Sequence, residues 1–286
     1  MADPAHRAQD LERGAGPRNE LPVRILSAVI LAPLAVGAAY VGGWPFALFW
    51  GFAALGVWWE WAALSAGPAA RIGFAAGSPA LLAALAFLLA GWLAPAIACL
   101  AAGAVLVAAL ARSDRRTWIG AGVPYAGTVL VAPVVLRSDP QYGFVAVIFL
   151  FAVVWVTDVA AYFAGRAFGG PKLAPRLSPH KTWSGALGGA AAAVIAALAI
   201  ALATGLGHRL AIGLVGFALS VASQAGDLFE SAFKRWYGAK DAGRLIPGHG
   251  GLMDRLDGFI AAALAAAILG VLRGGTEAPA RGLLVW

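Results

Sequence analysis

Along this chain polar and apolar positions come in long blocks. From Ile25 almost to the C-terminus, apolar runs recur at residues 25–42, 45–66, 73–92, 94–111, 118–136, 142–163, 185–206, 210–229 and 256–273. Each is long enough to cross roughly 30 Å of hydrocarbon as a helix. The expected fold is therefore all-α, a polytopic integral membrane protein of about nine transmembrane helices. Residues 1–24 are polar and mix Asp10, Glu12 and Glu20 with Arg7, Arg13, Arg18 and Arg24, so they read as a solvated tail and not as the basic start of a cleavable signal.

The polar positions divide the remainder in two. Residues 25–140 form Ala-, Leu-, Val- and Trp-rich spans with short loops, and their one acid within a span is Glu60. Either it hydrogen-bonds a neighbouring helix or it lies near a span end and reaches water. Residues 141–286 hold acids, histidines and two long polar loops, so chemistry is expected there. Ala-rich stretches at 186–203 and 261–267 suit close helix packing. Trp44, Trp58, Trp59, Trp61, Trp92 and Trp118 sit near proposed span ends and read as interfacial anchors.

Composition agrees with this division. Of 286 residues 61% are hydrophobic and 12% charged, and mean hydropathy is +0.79, too apolar for the surface of a soluble domain. With the N-terminus cytoplasmic, seventeen Lys and Arg residues fall on the cytoplasmic side and four (Arg137, Arg209, Arg273, Arg281) on the other. The net charge of +7 follows from that asymmetry and from anionic headgroups, with no need for nucleic acid. Cys99 stands alone in an apolar run, which excludes an internal disulfide. Seventeen Arg against four Lys, with abundant Ala, fits a GC-rich bacterial genome and a place in the bacterial inner membrane.

Three constellations carry candidate chemistry. In the first, Asp158, Tyr162 and Arg166 recur every four residues, so one helical face could let Tyr162 donate to Asp158 while Arg166 reaches water; a packing cluster would use the same residues. In the second, Ser178, Lys181 and Thr182 precede a helix start, whose N–H groups favour anions such as phosphate; simple capping is the alternative.

The third spans Asp227 to Asp257. Asp227, Glu230 and Lys234 share a helical face, then come Lys240, Asp241 and Arg244, then Pro247-Gly248-His249-Gly250-Gly251, then a helix from about Leu252 bearing Asp254, Arg255 and Asp257. Asp227 and Asp254 could meet across the loop and offer hard oxygen ligands to Mg²⁺, with Asp257 as an additional ligand. Lys234, Arg235, Lys240, Arg244 and Arg255 could neutralise a polyphosphate, with Gly250 and Gly251 allowing close approach. Salt-bridge lacing of an interfacial loop would also account for these charges. His249 could serve as a general acid or base, or hydrogen-bond a phosphate.

Residues 231–257 resemble the signature of the phosphatidate cytidylyltransferase family: S-x-x-K-R-x4-K-D-x5-P-x-H-G-G-x-x-D-R-x-D is met at Ser231, Lys234, Arg235, Lys240, Asp241, Pro247, His249, Gly250, Gly251, Asp254, Arg255 and Asp257. Asp158, Tyr162, Gly165-Arg166 and Ser178-Pro179-x-Lys181-Thr182 are similar to upstream motifs of that family. Ser184 departs from it, because a glutamate often stands there. The resemblance implies transfer of a cytidylyl group from CTP to phosphatidic acid at the cytoplasmic membrane face. It implies one or two divalent ions, with room for a monovalent cation, and allows a homodimer. A secondary transporter using Asp158 and Asp227 is the rival from another class. An enzyme consuming CDP-diacylglycerol is a nearer rival, but its usual Asp-Gly-x-x-Ala-Arg run is missing.

Overall fold

The computed structural model describes residues 20–286 apart from 112–113, 244 and 247–249, with side chains from residue 29 onward. Its long helices are α1 (Glu20–Val41), α2 (Gly43–Ala66), α3 (Ala70–Leu89), α4 (Leu93–Leu110), α5 (Arg116–Arg137), α6 (Gly143–Phe168), α7 (Trp183–Ala203), α8 (Arg209–Trp236) and α9 (Met253–Gly274), followed by a short α10 (Pro279–Leu284). These match the apolar runs one for one among the described residues. Among the described residues seven helical stretches are long and apolar enough to cross a membrane, one of them the continuous 43–89, while α1 contributes only the shorter apolar piece Val29–Val41.

The 43–89 stretch is two helices, not one. Gly67 takes a positive φ of 52° and opens a one-turn 3₁₀ segment, Gly67–Ala69, where the chain turns back. Across the resulting hairpin Trp58 donates its indole N–H to Phe74 O at 3.2 Å, and a Cβ at Gly51 would lie 3.0 Å from Leu85. Residue pairs whose numbers change in opposite directions mark antiparallel helices.

Two features depart from the expectation. Between α6 and α7 the chain forms an antiparallel hairpin, β1 (Lys172–Ala174) with β2 (Ser178–Thr182), in which Lys172 faces Thr182. Among the described residues the fold is thus helical with one small hairpin between α6 and α7. Trp58 and Trp61 are core residues and not belt anchors: both are buried, and Trp61 donates to Trp118 O at 2.9 Å and stacks on Phe233 with ring centroids 3.9 Å apart. An indole whose N–H finds a carbonyl can be buried at little cost. Trp44 and Trp92 are exposed, as belt residues are.

The second half packs through small residues. On α7, Gly185 and Gly189 face Ala161 O and Thr157 O of α6, which a Cβ would approach to 2.7 and 2.8 Å. On α8, Gly226 likewise abuts Asp257 O, and Gly258 of α9 abuts Ser223. Removing side chains here lets backbones approach where apolar burial drives nothing, since lipid is as apolar as protein. The tight α6–α7 and α8–α9 pairs bring the acids of three helices to one end of the bundle.

Candidate active site

The loop after α6 sets the first wall. Gly169, at φ 58°, ends the helix, and its N–H returns to Gly165 O. Thr182 caps α7, its hydroxyl accepting from Gly185 N at 3.1 Å, so the capping reading of this residue holds. Ser184, standing where a glutamate was expected from the resemblance, donates to Gly169 O and lies 3.0 Å from the Thr182 hydroxyl. It ties the loop to the helix start. Gly165 is required here because a Cβ would come within 2.9 Å of Thr182 Oγ1.

A cavity of about 600 Å³ opens between α6, α7, α8 and the hairpin. Asp158, Tyr162, Arg166, Lys172, His180, Lys181, Thr182 and Asp227 line it. Lys181 forms an ion pair with Asp227, both side chains being about 30% exposed at 28% and 30%. Ser231 reaches Asp227 only weakly, at 3.5 Å. Tyr162 does not serve Asp158 as the spacing suggested: its hydroxyl accepts from Arg166 at 3.1 Å.

A second cavity of about 380 Å³ lies on the other side of Asp158, between α1, α2, α6 and α9. Its body is apolar, with Leu31, Ala35, Phe49, Ala53 and Trp155 among its walls, and its polar end holds Asp158, Arg255 and Asp257. Trp50 of α2 stacks on Phe259 of α9, 4.8 Å between centroids, and closes the back. Asp158 is common to both cavities.

Asp158 and Asp257 are the two carboxylates within electrostatic reach of Asp227. Asp227 and Lys181 act on Asp158, and Asp227 and Asp158 both act on Asp257. Asp254, three residues earlier, turns elsewhere. Its Oδ1 takes Lys234 Nζ at 2.5 Å, and its Oδ2 accepts from Ala242 N at 2.9 Å and Gly251 N at 3.0 Å. Lys234 in turn holds Glu230 at 3.1 Å, and the three side chains are 13%, 10% and 1% exposed. Lys234 and Asp254 therefore sit behind the cavities and shape the loop that fronts them. Part of the charged block is internal salt-bridge lacing after all.

The remaining sites are at the rim. Arg235 and Lys240 are exposed, Arg235 donating to Ala239 O at 3.3 Å; Arg255 is exposed on α9, and Ser178 begins β2. Gly250 has the positive φ of 83° that only glycine adopts readily, while Gly251 faces two carboxylates. Arg244 and His249 lie outside the described residues. What sequence reasoning left open is Glu60, whose carboxylate accepts from Leu252 N at 2.9 Å and Met253 N at 2.7 Å across 192 and 193 residues. A lone acid in an apolar span was its only signal.

Fold and site together define a multi-pass membrane protein with a cation-lined polar cavity backed by carboxylates and joined to an apolar one. Residues 22–272 match the cytidylyltransferase family, and the chain belongs to it. It is 41% identical over 262 residues to a protein of Brucella suis named phosphatidate cytidylyltransferase, covering 91% of this chain and 97% of that one. A protein of the same name from Pseudomonas aeruginosa is 40% identical, over 85% of this chain and 94% of the other, and one from Bacillus subtilis is 37% identical over 51% of this chain and 55% of its own. The transporter reading gains no support from these relatives.

Proposed function

We propose that this chain transfers the cytidylyl group of CTP to phosphatidate, giving CDP-diacylglycerol and pyrophosphate. The observation that carries the reading is the pair of cavities meeting at Asp158, one cation-lined and one apolar. A polyphosphate nucleotide needs the first, where Arg166, Lys172 and Lys181 offset its charge. An acylated acceptor needs the second, which faces α1 and α2, and its phosphate would then lie at the polar end beside Arg255. Catalysis sits where the aqueous and lipid routes meet.

The chemistry asks little of the protein's own nucleophiles. A phosphatidate oxygen is already anionic near neutral pH; it forms the new bond to the α-phosphorus, and the bond to the leaving pyrophosphate breaks. Lys181 and Arg166 hold the triphosphate in line.

The donor set fits Mg²⁺. Asp227 and Asp257 are hard oxygen donors repelling one another, with Lys181 the one cation paired to Asp227 among the described residues. No three Asp, Glu, His or Cys groups among those residues converge into a cage. Mg²⁺ takes one or two carboxylates and fills its shell with water and phosphate oxygens. When bound, Mg²⁺ neutralises charge developing on the α-phosphoryl and pyrophosphate oxygens. Asp254, with both oxygens engaged, is better suited to holding the loop than to ligating.

We place the site on the cytoplasmic side of a bacterial inner membrane, on the strength of the Lys and Arg distribution. Purified protein given CTP, Mg²⁺ and phosphatidate vesicles should release pyrophosphate, with other nucleoside triphosphates poor substitutes. Silence across several lipids and divalent ions would overturn the reading.

A further inference from the structure

Glu60 is the one acid within a span of the first half, is 1% exposed, and is left unused by the chemistry above. Its partners lie at the start of α9. The first N–H groups of a helix have no partner inside it and form its positive end. Glu60 supplies two acceptors from another helix, Oε1 to Leu252 N–H and Oε2 to Met253 N–H. Asp254 Oδ2 takes the N–H groups of Ala242 and Gly251 beside them. Two carboxylates thus divide four N–H groups of the loop and helix start between them.

Two glycines of that loop follow from this clamp. A Cβ at Gly243 would lie 2.5 Å from Glu60 Oε1 and 2.8 Å from its Cγ and Cδ. One at Gly251 would meet Glu60 Oε2 at 2.9 Å and Asp254 Oδ2 at 2.7 Å. Neither glycine has a positive φ, so space and not backbone conformation excludes the side chain. The α2 helix is shaped to match: Gly56 stands where a Cβ would approach Leu252 Cδ2 to 2.8 Å.

We infer that Glu60 is a positioning residue for the transfer, clamping the signature loop and the start of α9 from the opposite half of the molecule and so fixing Arg255 and Asp257 against Asp158. The inference rests on the activity proposed above. It gives the first half of the chain a part in positioning the catalytic loop, beyond lining the apolar cavity. A residue that only held the fold together would change the yield of folded protein while leaving the turnover of that protein intact.

The test compares wild type, Glu60→Gln, Glu60→Ala, Gly243→Ala and the double variant Glu60→Ala/Gly243→Ala. Turnover is measured per folded enzyme, judged by a monodisperse peak in detergent. Glu60→Gln replaces one acceptor by a donor; kcat should fall about 10- to 100-fold, the scale expected of misplaced reacting groups. KM for CTP should stay within about threefold, because the polar cavity does not touch Glu60. Gly243→Ala alone, which keeps every functional side chain, should lose a similar factor. In the Glu60→Ala background it should cost almost nothing more, since the atoms it would strike are gone.

Wild-type turnover together with near-wild-type kcat in Glu60→Gln, or with independent losses in the double variant, would overturn the clamp. Absence of turnover in wild type itself would count against the proposed reaction instead. The same double-variant comparison read by thermal unfolding then decides the clamp, with additive shifts refuting it.

Discussion

Lys234 Nζ lies 2.5 Å from Asp254 Oδ1 in a contact that is almost wholly enclosed, and the same ammonium holds Glu230 at 3.1 Å. One cation thus serves two buried carboxylates. Breaking such a pair from one side costs about 3–5 kcal/mol, because the other charge is left without compensation. Lys234→Met should lower the unfolding temperature of the detergent-solubilised protein by on the order of 10 °C. Adding Glu230→Gln to that chain should restore part of the loss by removing one stranded charge. Differential scanning fluorimetry of the three proteins checks this, and a double variant less stable than Lys234→Met alone would refute it.

Lys181 and Asp227 behave differently, for they face the cavity and keep nearly a third of their side-chain surface open. Solvent-screened pairs add little to stability. Lys181→Met should therefore leave the unfolding temperature nearly unchanged while kcat/KM for CTP falls about 100-fold, the scale of a lost charge-assisted bond to phosphate. Steady-state kinetics at saturating phosphatidate measures it. A large thermal shift with intact kcat/KM would place Lys181 in the scaffold.

The spans were legible because hydrocarbon thickness sets their length, whatever packs against them. The polar cavity was legible in part, since Asp158 stands out in apolar surroundings and Lys181 lies beside a helix start. Helical spacing put Asp254 and Asp257 on one side of α9 but could not say that Lys234, descending from α8, would take the first and leave the second. The β1–β2 hairpin has too few residues to show a period. The tie between Glu60 and Met253 crosses 193 residues, and no local spacing encodes such a contact.

The different stations of the two α9 acids lead to a metal test. Asp227→Asn and Asp257→Asn should each raise the Mg²⁺ concentration for half-maximal activity about tenfold or more, as loss of a hard ligand does. Asp254→Asn should lose most of its turnover with the Mg²⁺ requirement almost unmoved, because what it loses is its grip on Lys234 and on the loop N–H groups. Chelation with EDTA should abolish activity in every active variant, and added Mg²⁺ should restore it. Titrating Mg²⁺ in each protein at fixed CTP separates the roles; equal shifts in Asp254→Asn and Asp257→Asn would return Asp254 to the ligand set.

The apolar cavity makes the last prediction specific to one substrate. Ala53 of α2 lines it, as does Trp155 of α6, and neither residue borders the polar cavity. Filling it with Ala53→Trp removes volume from a space of about 380 Å³ without adding charge. Overpacking a tight site costs about 1–3 kcal/mol, which corresponds to roughly 10-fold or more in affinity for whatever occupies it. KM for phosphatidate in mixed micelles should therefore rise by about that factor while KM for CTP holds. A short-chain phosphatidate, needing less of the cavity, should be affected less than a long-chain one. Parallel rises for both substrates would mean that the substitution distorts Asp158 and the shared wall; no change for either would show that the acceptor reaches its phosphate position by another route.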